Sequence, residues 1–489
     1  MISRDTARSA STQPFALQFC RASAITLLAA VAACGGGSSS EDPGRSDGSA
    51  NEDAARHPSK MIPTEDAGSA KHDASTPGAN HGHVPEASVD GGTVPDARPD
   101  VSHGAPSTTY PAFAVNVAQV SDNGGAVLAA PQIVTVTWST DPDVTTWNAF
   151  GDTLGASTYW GAINSEYGVG AATSGDTNHV SITTAPPSSF SDSDLDTFVS
   201  AHVGVDWPAS TVNTIYAVYI PPGTGLTLGG QDACAEGVGG YHDETQDNNH
   251  FVYAIMPHCS MFQTADIELA ASHEFNEAAT DPHPETALAY EGFDQNHLSF
   301  EFFNQFQDEL GDACESFIEA TDAVDFTPYT VQRQWSNKSA AAGSHWCVPA
   351  LDEPFYNTTF LPETTLDTIS ANLSSLGAGS VQSQGIKVAL NESRTFPIGY
   401  FSDMATSGPF ALDVQGLDFP IAQDMNGNDI ANGAATVSID TTSGVNGDIA
   451  YVTVTPTSFS TFGVVFFYIR AQLPGATQHH YLPVLISQN

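Results

Sequence analysis

The hydrophobic rhythm of this chain changes once, near Leu351, and that change most narrows what it can fold into. Before it, β-branched runs such as Gln132 to Trp138, Thr214 to Ile220 and Phe251 to Met256 alternate with segments of helical or mixed spacing at Thr145 to Leu154, Ser157 to Tyr167, Ser191 to Val203 and Thr264 to Thr280. Strands alternating with helices predict an α/β or α+β domain over 110–351. From Asp352 to Asn489 the runs are short and alternating, as in Gly385 to Leu390, Ala435 to Ile439, Ile449 to Val454, Val464 to Ile469 and Tyr481 to Ile486, with Gly, Asn, Asp and Ser between them. That spacing predicts an immunoglobulin-like β-sandwich over 352–489, which carries no evident active-site motif.

The first hundred residues have neither rhythm. Arg4, Arg8 and Arg21 precede a short apolar run, Ala22 to Ala33, that ends at Val31-Ala32-Ala33-Cys34. The run is too short to span a bilayer as a stable helix. It resembles the signal of bacterial lipoproteins, which implies removal of 1–33, lipid on Cys34 and export to the outer membrane or cell surface. From Gly35 to about Thr109 the chain is dominated by Gly, Ser, Pro, Ala, Asp and His. Such a stretch cannot bury enough apolar surface to offset the entropy of ordering, so 34–109 is expected to be a flexible tether. Its histidines, His57, His72, His81, His83 and His103, are expected to be solvated rather than a metal store.

Charge limits the partners. The chain has 13 Lys and Arg against 56 Asp and Glu, a net charge of -43, and no Lys or Arg lies between Pro111 and Val331. Nucleic acid and anionic headgroups both require basic contacts, so neither is an expected partner, and the membrane enters only through the lipid. The expected partner is an extracellular protein, a peptide or a cell-wall substrate. Without Cys20 and with Cys34 lipidated, Cys234, Cys259, Cys314 and Cys347 remain. In an oxidising compartment these predict two disulfides, and Cys234 with Cys259 and Cys314 with Cys347 are favoured because each closes a local loop.

The chemistry is concentrated in His273-Glu274-Phe275-Asn276-Glu277-Ala278-Ala279-Thr280-Asp281-Pro282-His283. On a helix, His273 and Glu277 are one turn apart and reach one ion, while Glu274 projects beside them where it can take a proton from a metal-bound water. A zinc hydrolase needs three protein ligands and an open position. Three sources compete for the third ligand: His283, ten residues after His273, as in the extended metzincin motif that this stretch resembles with Glu277 at its second His; Glu309 or Asp312 from Asp308 to Cys314; and His242 from Gly239 to Asp243. Tyr241, Tyr290 and His242 are candidates for stabilising an oxyanion. Calcium on the acidic loop Asp424 to Asp429 is a further candidate, although the spacing does not complete an EF-hand. The competing reading leaves Glu274 and Glu277 solvated, His273 packed locally and Asp281 in a turn.

Ser272-His273-Glu274-x-x-Glu277-Ala278-x-Thr280-Asp281-Pro282, with Gly240-Tyr241-His242 before it and Glu309-x-Gly311-Asp312-x-Cys314 after it, resembles a group of secreted myxobacterial and related bacterial proteins. A looser likeness reaches the plant EXORDIUM or phosphate-induced proteins, and it covers roughly 131–347. The resemblance implies extracellular life and adds weight to Glu309 and Asp312. Its shared pattern ends at Pro282 and does not include His283. The expectation is a metallopeptidase-like domain acting as a zinc-dependent hydrolase, most simply a metalloendopeptidase. The alternative is a metal-stabilised surface lipoprotein that binds or adheres.

Overall fold

A computed structural model describes residues 102–307, 309–315, 324–326, 328–423, 428–476 and 478–488. The expected signal, Cys34, most of the expected tether and the start of the Asp424 to Asp429 loop lie outside the described residues. The last part of the expected tether does not behave as one. The main-chain N–H of Ile449 donates to His103 O at 2.7 Å, and Gly104 forms an antiparallel bridge with Asp448. Folded structure therefore begins before residue 110, by strand-like pairing with the C-terminal module.

The first body is a five-stranded sheet. Its strands are β1 (Gln132–Trp138), β2 (His179–Ile182), β3 (Thr214–Ile220), β4 (Tyr241–Glu244) and β5 (Val252–Pro257), in the spatial order β2-β1-β3-β5-β4. The first four in that order are parallel, and β4 is an antiparallel edge strand. β3 is buried along its whole length, as a parallel strand covered on both faces must be. Ile133, Ile215, Ala217, Tyr219, Ala254 and Met256 face α1 (Val144–Leu154), α2 (Thr158–Asn164) and α4 (Thr264–Thr280). Val134, Val136, Tyr216, Val218, Tyr253 and Ile255 face α3 (Asp192–His202) on the other side. The body is thus a three-layer α/β arrangement.

The second body consists of two packed sheets. Along the chain its strands are β6 (Tyr356–Phe360), β7 (Asp367–Asn372), β8 (Ser380–Lys387), β9 (Arg394–Ser402), β10 (Phe410–Gln415), β11 (Ala434–Ile439), β12 (Ser443–Gly444), β13 (Ile449–Ser458), β14 (Val464–Gln472) and β15 (His479–Ser487). One sheet runs β6-β9-β13-β11 and the other β7-β8-β15-β14-β10-β12. Their inner faces share a core of Phe396, Ile398, Tyr400, Val452, Phe467, Ile469 and Val484. This is the β-sandwich expected from the alternating runs.

The two bodies are not separate at residue 352. The helix α5 (Leu298–Phe303) presents Phe302 to Phe462 and Phe466, and Phe303 to Tyr468 and Tyr481, at ring separations of 5.0 to 6.1 Å. Burying a Phe side chain is worth about 1.5–3 kcal/mol, so this pair alone contributes substantially to the joint. Both expected disulfides are formed: Cys234–Cys259 and Cys314–Cys347. No helix among the described residues is long and apolar enough to cross a membrane.

Candidate metal centre

The site is built on α4. Its start is capped at Gln263, whose main-chain N–H donates to Asp266 at 2.7 Å. From Ala270 to Thr280 every residue is buried, because the sheet with its edge strand β4, the helix α2 and the segments 309–312 and 329–332 pack around the helix. The polar residues are therefore not a solvated face. His273 is 0%, Glu274 1% and Glu277 2% exposed.

The helical turn brings Nε2 of His273 to 3.0 Å from Oε2 of Glu277, and Oδ1 of Asp312 approaches the same nitrogen at 3.5 Å. The ligand atoms of these three residues lie within 4.8 Å of one another. Two ligand atoms each about 2.0–2.1 Å from a tetrahedral zinc stand about 3.3–3.4 Å apart, so these separations fit the edges of such a tetrahedron. The other oxygen of Glu277, Oε1, accepts main-chain N–H groups from Gly311 at 3.1 Å and Asp312 at 3.0 Å. Those two bonds orient the carboxylate and leave Oε2 directed at the imidazole.

The segment 309–312 is itself tied down. Gln332 donates through Nε2 to Gly311 O and through its main-chain N–H to Ser272 Oγ on α4, while Trp335 N–H donates to Leu310 O. Gly311 is required by approach rather than by backbone angle. A Cβ there would lie 2.7 Å from Glu277 Oε1 and from His273 Cε1 and Nδ1.

A second group adjoins the first. His242, on β4, directs Nδ1 to Glu274 Oε2 and Glu277 Oε2, both at 3.6 Å. Its Nε2 donates to Asp281 O at 3.1 Å and lies 3.6 Å from Glu309 Oε1. Asp281, Glu291 and Glu309 form a third group, again with ligand atoms within 4.8 Å. Among these eight buried residues there are six carboxylates and two imidazoles.

Ionisation follows from that crowding. Burial acts most strongly on Glu274 and pushes its carboxyl up to about 7, against the opposing pull of His242 and His273. Glu277 feels the same burial, but the His273 and His242 imidazoles outweigh it and hold the carboxyl well below the usual range. Burial also works to discharge both imidazoles. For His242 it is overcome by Glu309, Glu274 and Glu277, and for His273 by Glu277, Asp312 and Glu274, so both rise well above their ordinary value.

Of the competing third ligands, Asp312 joins His273 and Glu277, His242 reaches Glu277 from the other side, and Glu309 reaches His242. His283 does not join them. The metzincin-like spacing requires a left-handed turn after the helix, whereas Thr280 stays helical with its hydroxyl donating to Asn276 O. Beyond Asp281 the chain leads His283 to Glu244, where Nδ1 meets Oε2 at 2.8 Å. Two oxyanion candidates also fall elsewhere: Tyr241 points to the opposite face of β4 from His242 and packs with Tyr253, and Tyr290 packs on Tyr167. His202 contacts Asp206 and stacks on Trp207, a structural role.

Sequence reasoning passed over Glu291, which belongs to no motif, and gave Asp281 only a turn. It also passed over a separate group, Asp141, Asp143 and His258. These residues follow the C-terminal ends of β1 and β5, and His258 N–H donates to Ile220 O at the end of β3 between them. Only the strand order brings them together.

No family model matches the chain, and no curated protein matches it. Among solved structures, the ASH/PapD-like domain of human CEP192 (PapD-like domain 7) is similar at 16% identity and a TM-score of 0.16, covering 29% of this chain and 94% of that one. The β-sandwich assignment rests on the strand pairing itself.

Proposed function

We propose that this protein is an exported, lipid-anchored, zinc-dependent hydrolase of peptide bonds, with His273, Glu277 and Asp312 as metal ligands and Glu274 as the proton acceptor. The observation that carries the reading is the pairing of a ligand group with an adjacent acid that the ligand group does not use. Among the described residues Oε1 of Glu274 has no hydrogen-bond partner, and burial holds its carboxyl up at about 7 in the metal-free chain, so it is a group that can take up a proton. A mixed imidazole and carboxylate set suits zinc.

A bound zinc ion would supply Lewis acidity and bring the ionisation of a coordinated water toward neutrality. Glu277, held anionic, keeps its charge on the ligand side. Gly311 and Asp312 N–H groups fix its carboxylate so that it does not rotate away from His273. Glu274 is oriented by His242 through Oε2, which leaves Oε1 to receive a proton. Calcium would be better served by the all-oxygen group of Asp281, Glu291 and Glu309.

A second reading is favoured by the near-complete burial of His273, Glu274 and Glu277. Structural zinc sites are closed, and an ion here would then brace a surface-binding lipoprotein. The deciding experiment is a broad peptide-cleavage screen on the metal-depleted chain before and after zinc is restored. Cleavage that appears only with zinc supports the hydrolase. Zinc uptake that raises the melting temperature without any cleavage would replace it with the binding reading.

A further inference from the structure

The hydrolase reading uses His242 only as an orienting partner, yet its geometry is that of a ligand. Its Nε2–H is committed to the Asp281 carbonyl at 3.1 Å, with Glu309 beyond it. A metal-ligating imidazole habitually donates its distal N–H to a carbonyl or carboxylate in this way, fixing the tautomer and directing the other nitrogen inward. Here the other nitrogen, Nδ1, faces two carboxylate oxygens at 3.6 Å each, those of Glu274 and Glu277. These separations are again close to the edge of a tetrahedron about zinc, about 3.3–3.4 Å. The three ligand atoms lie within 4.8 Å of one another, and all three residues are buried.

Charge points the same way. Glu274, Glu277, Asp281, Glu291, Glu309 and Asp312 bring six carboxylates into one buried region with two imidazoles, and the chain has no Lys or Arg between Pro111 and Val331 to place among them. An imidazole bound to a metal is neutral. So dense a set of acids about two imidazoles favours the binding of divalent cations.

We propose that the centre holds two divalent cations: one at His273, Glu277 and Asp312, the other at His242, Glu274 and Glu277, with the Oε2 atom of Glu277 common to both. Glu277 is suited to the shared position because its Oε1 is already satisfied by Gly311 and Asp312 N–H groups. Glu274 engages the second ion through Oε2, the oxygen that faces His242. Gly240 makes room for this carboxylate, since a Cβ there would lie 2.8 Å from Glu274 Cγ and Oε1. The inference rests on the metal-centre part of the hydrolase reading and adds the second ion to it.

The test is a Co2+ titration of the metal-depleted full chain, followed by visible absorption and electron paramagnetic resonance. Two ions sharing a carboxylate couple magnetically, and isolated cobalt on a tether histidine does not. The expected result is a resonance that grows over the first equivalent and diminishes over the second. In the His242→Ala chain the first equivalent should bind and no coupling should develop, with circular dichroism reporting that the fold is kept. Glu274→Ala is the second variant, expected to behave in the same way. Saturation at one tightly bound ion without coupling in the unaltered chain overturns the second site and leaves the hydrolase reading standing. No tight binding at all overturns both, whereas coupled ions without zinc-dependent cleavage remove only the hydrolase.

Discussion

Nε2 of His273 lies 3.0 Å from Oε2 of Glu277, one turn further along the same helix and sealed from solvent with it. The contact joins two groups that are each costly to bury alone. Removing the imidazole takes the nearest cation from buried Glu277, although Gly311 and Asp312 N–H groups still hold Oε1, and breaking a buried pair costs about 3–5 kcal/mol. His273→Ala is therefore expected to lower the unfolding free energy of the metal-free protein by that amount and to abolish tight zinc binding, measured by denaturant melts and by metal content after dialysis.

Glu274 should behave differently from its neighbour. Glu274→Gln keeps the shape of the side chain and removes the proton acceptor. Zinc at His273, Glu277 and Asp312 should be retained while hydrolysis falls by roughly 10²–10⁴-fold, the range general bases contribute. Parallel metal analysis and rate measurements check this, and a variant that cleaves at the unaltered rate removes Glu274 from the chemistry.

The metal-free protein should lose stability as pH rises. His242 and His273 are raised above their ordinary value, about 6.5, so the folded state binds protons more tightly than the unfolded chain. That contribution is fully present below about pH 6.5 and is lost as pH climbs through the raised values. Glu274, at about 7, adds a decline between about pH 4 and pH 7, because its folded form also holds the extra proton. Zinc displaces these protons, so its affinity should increase with pH. Thermal melts from pH 6 to pH 9 should fall in the presence of chelator and flatten or reverse with zinc. A rising melting temperature under chelation would contradict the assignment.

Gly311→Ala probes the back of the site without replacing a ligand. The added methyl would press on Glu277 Oε1 and on the His273 ring at 2.7 Å, and overpacking of this kind costs about 1–3 kcal/mol. Disturbing the N–H groups that orient Glu277 should weaken zinc binding about 10–100-fold. Calorimetric titration of the variant measures both the affinity and the heat.

Breaking Cys314–Cys347 should act on the same segment from its far end. The bridge closes a loop with a sequence separation of 33 residues, for which loop entropy gives about 3–4 kcal/mol. Replacing both cysteines by serine should lower stability by that order and loosen the hold of Asp312 on the centre, read from denaturant melts and zinc competition.

Much of this architecture was legible from periodicity. β1 and β3 coincide with their β-branched runs, and α4 spans the expected Thr264 to Thr280, because long amphipathic or fully buried segments announce themselves locally. The relation of His273 to Glu277 was equally local. The partners of those residues were not, because Asp312 arrives from 35 positions beyond Glu277 in the chain and His242 from an edge strand, and their placement depends on which elements neighbour one another in space. His283 illustrates the converse error: its spacing was suggestive, but the helix end after Thr280 leads it to Glu244 instead. Helical texture also did not reveal that the whole second half of α4 would be enclosed, since the competing reading of a solvated Glu274 and Glu277 is removed only once β4 and the segment 309–312 are set against them.

The α5 helix, Leu298–Phe303, has its aromatic roots in the β-sandwich and passes the chain onward to Glu309 and Asp312. The sandwich thus anchors, through two aromatic side chains, the helix from which the chain runs on to the acid groups around His273. Cys314–Cys347 ties the same stretch at its other end, so the acidic pocket is held between an aromatic root and a disulfide.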